Sequence, residues 1–292
     1  MRVAIHHTTH YRYSAPVFIE PMVLRLRPRH DMAQSVIAYQ QSVLPASQTR
    51  STIYDLNGNV VTKLWFTELV ASLEIVAYSV VETHLTNPFQ FLMEPDALLV
   101  PFPESYSANA LFAAYTHREQ DDASVTSFAS EVLKQCDGSP IGFLLQLAAD
   151  VRSHCDMIMR PAGAAWPAAD TLAHGEGSCR DLAVLFNECC RYVNMPARFV
   201  SGYQVETPDH PEAFGHELHA WSEVYLPGAG WRGFDPSQGI ATTDTHVAIA
   251  TGYTAIDAAP TFGTYRGTGV SSELETEVQI DIIDTETNQA SV

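Results

Sequence analysis

The chain has 292 residues, 46% of them hydrophobic and 17% charged, the balance of a soluble globular protein, and this length fits about two domains. A net charge of −18, with Lys63 and Lys134 as its two lysines, argues against nucleic acid or an anionic membrane as partner, because both require a basic surface. Five cysteines without the spacing of a disulfide framework suit a reducing compartment, and Met1–His7 breaks into histidines before any apolar stretch is long enough for a secretory signal or a membrane span, so a cytoplasmic location is expected.

From Val3 to about Leu85 the chain is rich in β-formers. Val23–Arg27 and Leu69–Val81 alternate or run apolar with β-branched residues, and Asn57-Gly58-Asn59 between Thr52-Ile53-Tyr54 and Val60-Val61 is a hairpin signal, which predicts an antiparallel sandwich. Pro88, Pro95, Pro101 and Pro103 then interrupt regular structure and mark a linker or a strap across the surface. Helical spacing begins near Ser124, with Val125, Phe128, Ala129, Val132 and Leu133 on one face, and resumes from Ile141 to Val151.

A further helix follows Gly177, with Leu182, Leu185, Phe186, Cys189 and Val193 as its apolar stripe and Asn194-Met195-Pro196 as its stop. Strands are expected over Ala197–Val205, Leu218–Leu226, Trp231–Asp235 and Leu274–Ile283. A central helix packed on an antiparallel sheet makes this half an α+β core.

Within Gly175-Glu176-Gly177-Ser178-Cys179-Arg180-Asp181, Ser178 is a good N-cap and Asp181 stands where a capping box needs its second member, so Cys179 is the first fully helical residue. Unpaired backbone N–H groups and the positive end of the helix dipole then point at its sulfur, which favours the nucleophilic thiolate. A thiol needs a base to take its proton, and that base needs a third group to hold its ring. His219-Ala220-Trp221-Ser222-Glu223-Val224 and Gly230-Trp231-Arg232-Gly233-Phe234-Asp235-Pro236 supply a histidine and an aspartate in that order.

The run from Gly175 to Asp181, the segment around His219 and the segment around Asp235 together resemble the core of the transglutaminase-like superfamily of papain-related cysteine enzymes, in its bacterial branch. His7-Thr8-Thr9-His10-Tyr11-Arg12-Tyr13 and Leu24-Arg25-Leu26-Arg27-Pro28 are similar to the N-terminal β-domain that precedes this core in bacterial members. The resemblance implies a β-domain over residues 1–86, a connector over 87–123 and a papain-like core over 124–292. It also implies a nucleophilic Cys179, a general base His219 and an orienting Asp235, with reaction through a thioester. No calcium-binding loop spacing is present, so the calcium dependence of animal transglutaminases is not expected, nor is any other cofactor.

Gly177 is expected to let the backbone approach substrate, and Trp166, in the loop before Cys179, to line the substrate groove. His216 competes with His219 for the role of base; alternation along a strand puts them on opposite faces, so that one of them faces the helix. Metal binding by His216 and His219 is a weaker alternative, since His-Glu-Leu-His is not a zincin motif. The expected activity is hydrolysis of a peptide or isopeptide-like amide. The alternatives are a transglutaminase, in which an amine replaces water, and a binding module that keeps the cleft without the chemistry.

Overall fold

Alternating burial along Arg2–Ile19 produces one long strand, β1, in which Val3, Ile5, His7 and Thr9 turn inward. It heads a computed structural model that describes residues 1–118, 121–160, 163–206 and 218–283. Five further strands follow: β2 (Met22–Leu24), β3 (Gln34–Leu44), β4 (Thr49–Tyr54), β5 (Val60–Trp65) and β6 (Val70–Thr83). β1, β6 and β3 form one antiparallel sheet, and β2, β5 and β4 form the other. The β4–β5 hairpin closes with Tyr54 opposite Val60; Asp55 accepts the backbone N–H groups of Asn57 and Asn59 at 2.9 Å each, and Gly58 takes the positive φ of 76° that the turn requires.

The proline-punctuated segment carries a single 3-10 turn, Pro95–Ala97, and lays Phe91, Met93, Ala97, Val100 and Phe102 against the helical core. It is a strap rather than a free linker. Helices α1 (Glu104–Ser107), α2 (Ala110–Thr116), α3 (Ala123–Gln135) and α4 (Pro140–His154) follow, the last two N-capped by Asp122 and Ser139. A short parallel pair, β7 (Asp156–Met157) and β8 (Glu176–Gly177), brackets α5 (Ala168–His174). Then comes α6 (Cys179–Tyr192).

The core sheet is antiparallel in the order β12-β11-β10-β9-β13, built from β9 (Ala197–Gln204), β10 (His219–Leu226), β11 (Gly230–Asp235), β12 (Ile240–Ala241) and β13 (His246–Gly252). The apolar stripe of α6 is fully buried, in one cluster with Val224, Leu226 and Phe234 of the sheet and Phe143 and Leu147 of α4. Each such side chain contributes roughly 2 kcal/mol of burial. A second cluster runs from the sandwich interior (Ile5, Leu24, Ile75) into Phe199, Tyr203, Val247 and Ile249 of the core sheet, so sandwich and core share continuous apolar packing.

The chain end differs from the expected division, which put all of 124–292 in the core. β14 (Thr261–Phe262) and β15 (Tyr265–Arg266) pair with β2 and β1, and β16 (Ser272–Ile282) runs antiparallel to β1 from Tyr13↔Ser272 to Val3↔Ile282. These strands complete the N-terminal sandwich. Strand pairing across some 270 residues has no local sequence signal, which is why Leu274–Ile283 reads as a strand but not as a strand of the first sheet.

Candidate active site

Ser178 caps α6 as expected, but the capping carboxylate does more than a cap. Asp181 is fully buried; its Oδ2 accepts the Ser178 backbone N–H and hydroxyl at 2.7 Å each, and its Oδ1 accepts the Trp166 backbone N–H at 2.7 Å. Arg160 donates to both oxygens at 2.7 and 2.6 Å and lies 4.0 Å over the Trp166 ring. Burial pushes the Asp181 carboxyl up, yet these hydrogen bonds outweigh it and hold the group below the usual aspartate range. One buried carboxylate thereby ties the loop before the helix to the turn that presents Cys179.

Gly177 is not a cleft residue. It is buried beneath the turn, where an added Cβ would come within 2.9 Å of Asp181 Cβ. The glycine makes room for that carboxylate and not for substrate. Trp166, in contrast, is half-buried in the wall of a cavity of about 790 Å³ that also contains Cys179 and His219.

The register of β10 and β11 decides where Asp235 points. A four-residue loop would set it opposite Ser222, but Leu226 pairs with Gly230 and Ser222 with Phe234, so Asp235 stands one step further on, level with Trp221. A one-residue shift reverses the face, and this one puts Asp235 on the side of Trp221 and His219. The three-residue loop Pro227–Ala229 thus sets the register that brings Asp235 to His219. The opposite face of β10 meets the helix: Ser222 donates to Ala183 O at 3.1 Å, and Val224 and Leu226 join the α6 cluster. Contrary to expectation, then, His219 does not lie on the helix-facing side. It sits at the first position of β10, and Cys179, at the N-terminus of α6, lies within hydrogen-bonding reach of its ring. His216 lies outside the described residues.

His219 Nε2 donates to Asp235 Oδ2 at 2.7 Å, and both residues are buried. Cys179 is within hydrogen-bonding reach of the same imidazole, which leaves Nδ1 to face the sulfur. Burial alone pushes the His219 imidazolium down, but the charge and hydrogen bond of Asp235, with a smaller contribution from Cys179, hold its pKa well above the ordinary imidazole value. Burial likewise pushes Asp235 up; its two histidine partners reverse that, and the carboxyl stays ionised well below the usual range.

Two side chains outside the sequence motifs, and Trp221 within one, surround this pair. Ser237 donates its backbone N–H and hydroxyl to Asp235 Oδ1 at 2.9 and 2.6 Å. His246, first residue of β13, places Nε2 3.2 Å from Asp235 Oδ2 and packs edge-on against Trp221. Trp221 in turn fills space that a side chain at Gly202 would occupy, its ring lying 2.5 Å from where that Cβ would stand. The atoms of His219, Asp235 and His246 lie within 4.8 Å of one another, near enough for a metal ion. Both Nε2 atoms already hydrogen-bond the carboxylate, so a metal there would have to displace their protons.

An α+β core in which a capped cysteine helix meets a strand-borne His–Asp pair defines the papain-like class. Residues 3–82 match the bacterial transglutaminase-like N-terminal region and residues 126–236 match the transglutaminase-like superfamily; the chain belongs to that superfamily, in its bacterial form. It is 28% identical over 289 residues to an uncharacterized protein of Mycobacterium leprae, covering 96% of this chain and 98% of the relative. An uncharacterized protein of Mycobacterium tuberculosis is 25% identical over 292 residues, covering 96% and 92%. The fold is also that of a candidate cysteine protease from Cytophaga hutchinsonii, at a TM-score of 0.71 and 20% identity over 98% of this chain and 92% of the other.

Proposed function

We propose that the protein is a cysteine-dependent hydrolase that cleaves a peptide or isopeptide-like amide through a thioester. The observation that carries this reading is the 2.7 Å bond from His219 to the buried Asp235, made by an imidazole that also reaches Cys179 in a cavity roomy enough for peptide. The Cys179 thiolate attacks the amide carbonyl and forms a C–S bond. Collapse of the tetrahedral adduct breaks the C–N bond while His219 Nδ1–H gives its proton to the leaving amine. Water then loses a proton to His219 and adds to the thioester; the C–S bond breaks, the acid departs, and the thiolate–imidazolium pair is restored. Throughout, Asp235 accepts from Nε2 and keeps the other nitrogen facing sulfur. The Cys179 backbone N–H, first in α6, is one donor for the oxyanion.

We further assign the protein to the cytoplasm, because its five cysteines are free thiols, as a reducing compartment keeps them. No described helix is long and apolar enough to cross a membrane. The direct test is to incubate the protein with cell extract or an activated peptide ester and search by mass spectrometry for an acyl adduct on Cys179. An adduct there that decays with release of acid supports the hydrolase. Protein that never acylates, and whose Cys179 alkylates no faster than its other cysteines, is a binding module instead.

A further inference from the structure

We infer that the cleft takes a peptide with a bulky apolar side chain beside the scissile amide, held in a subsite to which the N-terminal sandwich contributes Leu274; the inference rests on the peptide-cleaving reading above. The cavity that holds Cys179 and His219 is walled on three sides: by the loop leading to Trp166, by residues 253–261 after β13, and by His7, Thr9, Leu274 and Thr276 of β1 and β16. Each wall brings one large exposed apolar side chain. Met159 is 54% exposed, Ile256 58% and Leu274 46%. Single exposed apolar residues need no explanation, but three from separate segments line the same cavity, and an apolar-lined cavity is where a ligand binds.

The charges of the cleft leave the same opening. Arg160 is committed to Asp181, and Arg180 donates to the carbonyls of Gly163 and Arg160. Asp122 caps α3, Glu188 and Arg191 pair with each other, and His7 is held between Tyr203 and Thr9. Among the described residues, each of these ionisable side chains has a structural partner within the protein, while Glu188 Oε2 and the neighbouring Asn187 Oδ1 are buried without one. The excess acidity of the chain is also kept out: alternation along β16 turns Leu274 and Thr276 toward the cavity and Glu273, Glu275 and Glu277 away, with Glu275 paired to Arg12 at 2.6 Å. Apart from those two oxygens, what the walls chiefly offer a ligand is apolar contact.

Two of the three contacts are held in place before substrate arrives. Tyr11, opposite Leu274 on β1, bonds Thr261 at 2.7 Å, Arg25 donates to Ala259 O at 3.2 Å, and Arg191 donates to Tyr253 O at 2.8 Å. The 253–261 loop that carries Ile256 is thus anchored to the sandwich and to α6. A preformed apolar subsite binds without spending affinity on ordering itself. Met159, the third contact, is the adaptable one.

The test separates binding from chemistry. Two N-acetyl pentapeptides that differ only in a central Leu or Ser are titrated onto the Cys179→Ala protein by fluorescence anisotropy, then onto the same protein carrying Leu274→Ser or Ile256→Ser. The Leu peptide should bind about tenfold or more tightly than the Ser peptide, and each wall variant should reduce that ratio about three- to tenfold with the Ser peptide unaffected. Because both wall residues are solvent-exposed, the melting temperature should not change. Equal binding of the two peptides, binding of neither, or a ratio that survives both variants overturns the subsite. With intact Cys179 the same ratio should recur in kcat/KM; a preserved binding ratio without any turnover would instead overturn the hydrolase reading and leave the subsite standing.

Discussion

His246 directs its Nε2 at the Asp235 oxygen that already accepts from His219, at 3.2 Å against 2.7 Å. With the two donors from Ser237 on the other oxygen, the carboxylate is fixed from four directions while fully buried. In the proposed mechanism His246 therefore acts through Asp235, as a positioning residue. Replacing it with Ala should lower kcat by about tenfold or somewhat more, the worth of one charge-assisted hydrogen bond. His246→Gln, which can return a donor near the Nε2 position, should restore most of that loss. Equal losses in the two variants would mean that His246 serves only as packing against Trp221.

Asp235→Asn keeps the shape of the side chain but not its charge. The imidazole then loses the acceptor that fixes its tautomer, and the proposed mechanism expects turnover to drop by about three to four orders of magnitude. Circular dichroism should show the fold retained. A variant with normal turnover would remove Asp235 from the mechanism.

Cysteine labelling distinguishes Cys179 from the three buried cysteines without any substrate. Burial raises the Cys155 thiol to about 11 and pushes Cys189 and Cys190 up further still, while Cys179 is half-buried at the cavity wall. Iodoacetamide at neutral pH should modify Cys179 well before the buried three, as read by peptide mapping. Cys179→Ala should abolish turnover and leave the melting temperature within about two degrees, because the core of α6 is built by other residues.

The parts of this site that could be read from sequence are those with local causes. Ser178 and Asp181 define a helix start three residues apart, and the stripe from Leu182 to Val193 follows the helical repeat. What escaped depends on strand pairing. Asp235 reaches the face of His219 because the β10–β11 loop has three residues rather than four, which no local signal fixes. His246 was invisible because β13 is buried along its whole length, so it shows no alternation to mark it as a strand. Asp181 was legible as a cap; its bond to Arg160, 21 residues away, was not.

His7 couples the sandwich to the core and should report on acid. It is 1% exposed and bonded to Tyr203 on β9 at 2.8 Å; burial, with a smaller effect of neighbouring His6, lowers its pKa from 6.5 to about 4. Between those two values the unfolded chain binds a proton that the folded chain does not, so stability falls as pH drops from about 6.5 to about 4. A shift of this size corresponds to roughly 3 kcal/mol. Chemical denaturation at several pH values should show that loss, and His7→Gln should flatten the curve over this window.

The fate of the thioester sets hydrolase against cross-linking enzyme. An amine competes with water only where the cleft excludes water and seats the amine against the acyl group. Here the cavity opens past the exposed side chains of Met159, Ile256 and Leu274, and water has ready access to the proposed acyl-enzyme. The imidazoles of His219 and His246 beside Asp235 are poor ligands for a cation that prefers oxygen, so calcium is not expected to act at this group. Incubation with a glutamine-containing peptide bearing a neighbouring leucine, a primary amine, and either calcium or chelator should release acid in excess over amine adduct at the same rate in both conditions. Predominant adduct, or activity lost in chelator, would move the protein to the cross-linking class.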